Sequence, residues 1–286
     1  MTRVFTYLAL IAALAAPLAN AEERRLVVAG GDLTEIVFAL GDGASVVGVD
    51  VTSTFPEAAT ERPQIGYVRR LSAEGVLSLS PDLVIAAHDA GPAIVLEQLT
   101  AAGVATATAP QTTDVDGIAD KIRFVGETLG RTEEAETLAT DFTTSLGDVR
   151  EKVATLPGKP RVMFVLSVDG GMPLVGGRNT SADQMIREAG ALNVAADFEG
   201  FKPMSREAII AAQPEALLMM EQHAQRSGGV TAMLARPEFA LTPAGQQNRA
   251  ITMDGMLMLG FGPRTPEAIA GLAAALQPEA AAAAGL

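Results

Sequence analysis

The chain has 286 residues, no cysteine, and a formal net charge of −13. Such acidity excludes a nucleic-acid binder. The missing cysteines exclude disulfides, thiol catalysis, cysteine metal sites and a lipidated N-terminal cysteine together, and two histidines, His88 and His223, are too few for a histidine-based metal cluster.

The N-terminus carries Arg3, then an apolar run from Val4 to Pro17 that is short for a bilayer, then Ala19-Asn20-Ala21. This pattern predicts a cleavable signal peptide over residues 1–21 and export to the periplasm. The mature chain of about 265 residues can bury two ordinary cores.

Beyond the leader, strand-like and helix-like segments alternate. Arg25–Ala29 reads as a strand ending at Gly30-Gly31, and Asp32 or its neighbour is expected to cap a helix through Ile36 and Leu40. Val46–Val49 is a strand, Ser72 opens a helix to about Leu79, and Leu83–Ala86, Ala93–Ala102 and Val104–Ala107 read as strand, helix and strand. Ile118, Ile122, Val125 and Leu129 recur at helical spacing, and Thr132 is expected to cap a second helix with Glu133 and Glu134 in its first turn. That helix, about 37 Å long at 1.5 Å per residue, is long enough to cross between two lobes. Alternation then restarts: strands at Val162–Leu166, Ala216–Met220 and Ala250–Met253, helices at Ser181–Ala189, Ser205–Ala212, Val230–Ala235 and Pro266–Leu276. The Ala-rich end from Glu279 is expected to fray. Repeated β-α alternation indicates an α/β protein of two Rossmann-like lobes with parallel sheets. The expected division is residues 22–131, an interlobe helix over 132–156, and residues 157–286.

One correspondence links the halves. Ser72-Ala73-Glu74 precedes Leu79-Ser80-Pro81-Asp82 and a strand; Ser205-Arg206-Glu207 precedes Ala212-Gln213-Pro214-Glu215 and another. Each carboxylate complements a helix dipole, or the two form a matched pair of docking groups, one per lobe.

Past the leader the only tyrosine is Tyr67, followed by Arg69 and Arg70. A phenol beside guanidinium groups suits a hard, oxidised metal such as ferric haem iron, because phenolate is an axial haem ligand and a nearby cation favours the ionised oxygen. The plain alternative is a structural tyrosine beside a solvated arginine pair. Arg178, Arg226 and Arg264 are candidates for carboxylate recognition in the second half, Arg226 first among them. His88 and His223 follow strands, where ligands collect in open sheets, although a hydrogen-bonded loop histidine explains either. Met253, Met256 and Met258 alternate as strand residues do and read as core; Phe198 and Phe201 could cover a flat ligand or simply pack. No Gly-x-Ser-x-Gly elbow, dinucleotide fingerprint, P-loop or zinc signature points to an enzyme.

The stretches Gly31–Ile36, Ile65–Pro81, Ala90-Gly91-Pro92, Gly176–Asp183 and Leu259–Thr265 resemble the haem-binding subfamily of periplasmic solute-binding proteins of ABC importers. The resemblance covers nearly all of the mature chain. It implies a class III periplasmic binding protein, two lobes joined by one rigid helix, working as a monomer with haem between the lobes. It further implies Tyr67 as axial iron ligand, Arg69 as partner of the phenolate, and Glu74 and Glu207 as carboxylates that meet the permease of the importer and its ATPase complex. Some relatives supply a histidine from the loop that here is Leu166–Met172, which has none, so Tyr67 alone is expected on the iron, with Met172 a softer and poorer second ligand. Ferric siderophore or cobalamin is the alternative cargo on the same scaffold.

Overall fold

The computed structural model of the chain describes residues 24–112, 114–169 and 171–286; the expected leader, residues 1–21, lies outside the described residues. In the first lobe, Leu26-Val27-Val28-Ala29 and Leu83-Val84-Ile85-Ala86 are apolar at every position, which suits strands covered on both faces. They form β1 (Leu26–Ala29) and, after β2 (Val46–Val49) and the short hairpin β3 (Gly66–Tyr67) and β4 (Arg70–Leu71), the central strand β5 (Leu83–Ala86). With β6 (Ala105–Thr108) they make a parallel sheet of order β2-β1-β5-β6. The helices of this lobe are α1 (Gly31–Ala39), α2 (Glu57–Thr60), α3 (Ala73–Leu77) and α4 (Ala93–Ala101).

Two helices then lie between the sheets, α5 (Ile118–Leu129) and the 23-residue α6 (Thr132–Ala154). α6 buries Ala135, Ala139, Phe142, Leu146 and Val153, a stripe at helical spacing, while Leu138 and Val149 pack against its edges. That stripe belongs to one apolar cluster that also takes in Leu33 and Ile36 of the first lobe and, across the molecule, Phe164, Ile186 and Leu272. The lobes therefore share a core along the helix that joins them.

The second lobe runs β7 (Arg161–Ser167), β8 (Leu174–Gly176), α7 (Ser181–Glu188), β9 (Leu192–Asn193), β10 (Phe201–Pro203), α8 (Arg206–Ala212), β11 (Ala216–Met220), α9 (Glu221–Arg226), α10 (Val230–Leu234), α11 (Pro243–Gln246), β12 (Ala250–Met253), α12 (Gly255–Leu259), α13 (Thr265–Leu276) and α14 (Pro278–Ala284). Its sheet has the order β10-β8-β7-β11-β12, with β9 beside β7. β7, β11 and β12 are parallel, but β8 and β10 join antiparallel, so this sheet is mixed where uniform parallel pairing was expected. Among the described residues no helix is long and apolar enough to cross a membrane.

Three local expectations are corrected. Asp32 does not cap α1: the N-cap is Gly30, without a side-chain bond, and Asp32 lies inside the first turn with its carboxylate paired to Lys121. Thr132 is the first helical residue of α6, and its N-cap, Arg131, makes no capping bond. The Ala-rich end does not fray: it forms α14, buries Ala281 and is held by Lys152 Nζ donating to the Gly285 carbonyl at 2.9 Å.

α5 packs tightly on α6 at Gly126. A Cβ there would overlap the Ala135 methyl and approach the Arg131 carbonyl oxygen to 2.9 Å. Gly126→Ala should therefore destabilise the protein by about 1–3 kcal/mol through overpacking, outweighing the roughly 1 kcal/mol that alanine adds in helix propensity. A urea unfolding midpoint equal to or above that of the parent would show that the helices part without cost.

Candidate functional site

In an open α/β sheet, ligands collect outside the carboxyl ends of the strands, where strand order reverses. β1 lies between β2 and β5, and the segments leaving β1, β5 and β6 supply Gly30-Gly31, Ala87-His88-Asp89 and Ala109-Pro110 to a single cleft. The facing lobe contributes Met220 at the end of β11 and Gly255, Met256, Leu259 and Phe261 beyond β12. The cleft holds about 430 Å³, within the roughly 300–1,000 Å³ of small-molecule sites. Gly31 lets the lobes approach here: a Cβ on it would press on the Thr52 carbonyl oxygen and lie 2.7 Å from Met256 Cε. Asp50, fully buried, shapes the same turn by accepting from the Gly30 N–H and the Ser53 hydroxyl, at 3.0 and 3.1 Å.

Tyr67 lines this cleft from the β3–β4 hairpin, half-buried, with Arg69 beside it. Arg69 Nη1 donates to Tyr67 Oη at 3.1 Å, and the other edge of the guanidinium, Nε and Nη2, sits 2.6 Å from Asp89 Oδ2. The hydrogen bond that Arg69 donates to the Asp89 carboxylate pushes the guanidinium above its ordinary pKa, so its charge is secure. Asp89 went unnoticed in the sequence although it directly precedes Ala90-Gly91-Pro92.

The other arginines are placed differently. Arg70, Arg178 and Arg226 are all exposed and none lines the cleft; Arg178 lies 3.9 Å from Glu199, and Arg226 ends α9. Arg264 is committed elsewhere: its Nε and Nη2 donate to both Glu35 oxygens at 3.1 and 2.6 Å, and its cation lies 3.7 Å from the Phe55 ring centroid. Glu35 belongs to the first lobe and Arg264 to the second, so this pair ties them together. Lys121 is a second tie, pairing with Asp32 and donating to the Phe261 carbonyl at 3.0 Å. Lys121 sits three residues after Ile118 and four before Val125, on the apolar face of α5, a signal readable in the sequence.

His88 is exposed and lines the cleft, whereas His223 is buried, hydrogen-bonded to Ser227 Oγ at 3.2 Å, and held below its ordinary pKa by burial. Met172 and Phe201 are exposed and outside the cleft lining, and Phe198, also outside it, is half-buried and packs against the core of the second lobe. The methionine expectation is corrected, since Met256 and Met258 belong to α12 rather than a strand, and Met256 faces the cleft. Among the described residues no group of three acidic or histidine side chains could hold a bare metal ion. The site thus presents one phenol beside a directed cation, the thioethers of Met220 and Met256 and apolar side chains, together with His88 and the Lys121–Asp32 pair.

Glu74 and Glu207 are exposed at the first turns of α3 and α8, whose N-caps Ser72 and Ser205 each accept a backbone N–H at 3.3 Å. Backbone hydrogen bonding at the helix start lowers the Glu207 carboxyl below its ordinary pKa. The far ends of these helices are braced alike. Arg25 donates its N–H to Asp82 at 2.8 Å and its guanidinium to the Leu79 and Ser80 carbonyls; Arg161 does the same with Glu215 at 2.9 Å and with Ala212 and Gln213. Ser80 and Gln213 share a left-handed φ of 46°. The two carboxylates therefore stand on equivalent junctions, one in each lobe.

A family model described as periplasmic binding protein matches residues 26–257. Among solved structures, the chain is similar to the periplasmic heme-binding protein RhuT of Roseiflexus sp. RS-1, at 44% identity and a TM-score of 0.87 over 91% of this chain and 99% of that one. It is also similar to the periplasmic heme-binding protein BhuT in complex with two hemes, at 41% identity and a TM-score of 0.85 over 90% and 99%. A curated relative is the vitamin B12-binding protein of Vibrio vulnificus strain CMCP6, 30% identical over 68% of this chain and 70% of that protein.

Proposed function

The chain belongs to the periplasmic binding protein family, and we propose that it captures ferric haem in the interlobe cleft through Tyr67 and delivers it to an ABC importer of the inner membrane. As a member of that family it is an extracytoplasmic carrier, not an enzyme. The observation that carries the haem reading is the Tyr67 hydroxyl in the cleft, with Arg69 Nη1 at 3.1 Å. A phenolate donates strongly to ferric iron, and the guanidinium offsets its charge. Met256, Leu259 and Phe261 offer apolar surface to a porphyrin face. The likeness to heme-binding proteins at 44% and 41% identity supports the same reading. In this proposal Arg70, Arg178 and Arg226 meet the propionates only where the porphyrin edge leaves the cleft.

Cobalamin is the second cargo, favoured by the vitamin B12-binding relative. Its metal arrives with its coordination supplied by its own chelate, as does that of a ferric siderophore, so neither gives Tyr67 a task. Titrating the purified protein separately with haemin and cyanocobalamin decides between them. The expected result is a high-spin ferric spectrum with a phenolate charge-transfer band for haemin and no saturable binding of cobalamin. Tight cobalamin binding without that band would overturn the haem reading.

Delivery is proposed to run through Glu74 and Glu207, one to each of a symmetric pair of permease subunits, a reading supported by their exposure at equivalent helix starts in the two lobes. Exposed charge pairs act mainly on recognition and association rate. Glu74→Ala/Glu207→Ala should therefore leave haemin affinity unchanged and reduce stimulation of the cognate transporter's ATPase in liposomes about tenfold at low salt. Full stimulation by the double variant would return both carboxylates to helix-dipole complementation.

A further inference from the structure

We propose that Asp89 is a positioning residue of the ligand site, holding Arg69 against the Tyr67 oxygen; this rests on the reading of Tyr67 as iron ligand. The Arg69 side chain is 62% exposed and reaches Tyr67 with a single hydrogen bond of 3.1 Å. A long exposed guanidinium held by one such bond keeps most of its rotamer freedom. Asp89 removes that freedom, because Nε and Nη2 converge on one carboxylate oxygen at 2.6 Å and leave Nη1 aimed at the phenol.

The backbone of the loop that carries Asp89 is tied to the hairpin. Gly91 N–H donates to the Val68 carbonyl at 2.9 Å, Leu71 N–H donates to the Gly91 carbonyl at 2.8 Å, and Ala87 N–H ties the start of the loop to β1 at 2.8 Å. The loop after β5 and the hairpin that bears Tyr67 thus move as one piece. This gives Asp89 a lever on the phenol that no sequence spacing reveals.

Two effects of Asp89 oppose each other. Its charge disfavours the phenolate, while its grip keeps a cation on the phenolate. The charge acts across the intervening guanidinium at a partly exposed site, where water screens it; the hydrogen bond is short-ranged and directed. The grip therefore wins. The groups acting on Arg69 are Asp89 and Tyr67, and His88 is the neighbouring titratable side chain on the same loop.

The test is a set of variants titrated with haemin, following affinity and the pH at which the phenolate charge-transfer band is half lost. Asp89→Ala should weaken haemin binding about tenfold, the scale of one charge-assisted hydrogen bond, and raise that pH by about one unit. Asp89→Glu should restore most of both. In an Arg69→Ala background, removing Asp89 should no longer weaken binding or raise that pH, because the grip has nothing left to hold and only the small opposing charge effect remains. Should Asp89→Ala not fold, judged by circular dichroism, the isosteric Asp89→Asn is read in its place. With Arg69 in place, a lower half-loss pH or tighter binding on removing Asp89 would overturn the proposal, and so would an undiminished loss in the Arg69→Ala background. If Tyr67→Phe kept the parent spectrum, the ligand reading itself would fail; loss of the band in Tyr67→Phe with no response to Asp89 would overturn this proposal alone.

Discussion

Tyr67→Phe should abolish the phenolate charge-transfer band of the haemin complex and weaken haemin binding by about 100-fold or more, some 3 kcal/mol. The substitution removes a single oxygen. The half-buried ring keeps its place in the hairpin, so the cleft keeps its shape and its apolar lining. What disappears is the phenol oxygen in the cleft beside the Arg69 guanidinium, the proposed donor to iron. Residual affinity would come from burial of the porphyrin against Met256, Leu259 and Phe261. Absorption and resonance Raman spectra of parent and variant, with matched circular dichroism, measure the effect. A variant with the parent's spectrum would remove Tyr67 from ligation.

Arg264→Ala should lower stability by about 3 kcal/mol, the lower end of the range for breaking a buried ion pair. That corresponds to a fall of roughly 6–10 °C in the unfolding midpoint for a chain of this size. Glu35 is 6% exposed in its side chain and would lose both hydrogen bonds, while Phe55 would lose the cation that lies over it. Burial already raises the Glu35 carboxyl above its ordinary value of 4.5, and Arg264 is what pulls it back down. Without Arg264 the folded-state value climbs further. A carboxyl with a raised folded pKa adds stability that is complete below its unfolded pKa and is lost as pH rises through the folded one. The deficit of Arg264→Ala relative to the parent should therefore be largest at pH 7 and narrow as the pH falls toward 4.5, the unfolded Glu35 value. Glu35→Gln in the Arg264→Ala background should recover part of the loss by removing the stranded charge. Equal deficits at pH 7 and pH 4.5 would take the Glu35 charge out of the explanation.

These two side chains mark how far local pattern carries into the tertiary structure. Tyr67 was legible because it is the lone tyrosine past the leader and stands in a dense local motif with Arg69 two residues on. Arg264 is legible in the sequence only as one of three second-half candidates for carboxylate recognition, behind Arg226. Its partner Glu35 lies 229 residues away in the chain, a separation that no local pattern bridges. Met256 and Met258 were misassigned for a related reason: alternation over three residues fits a strand as well as a short helix, and only packing against the first lobe decides.

By itself the sequence determined what rests on local chemistry and periodicity. Unbroken apolar runs dictated β1, β5 and β11, heptad-like spacing dictated α5 and the joining helix α6, and serine N-caps placed Glu74 and Glu207 at matched helix starts. Such features depend on neighbours within a few residues, where propensity, capping and amphipathicity act. Tertiary structure alone decided which charges were free to meet a ligand. It committed Arg264 to Glu35, Lys121 to Asp32 and the Phe261 carbonyl, and Arg69 to Asp89, and it left Arg178 and Arg226 outside the cleft. The reason is physical: a desolvated charge must find a partner wherever folding brings one within reach, and that partner is chosen by the meeting of loops from separate strands and lobes.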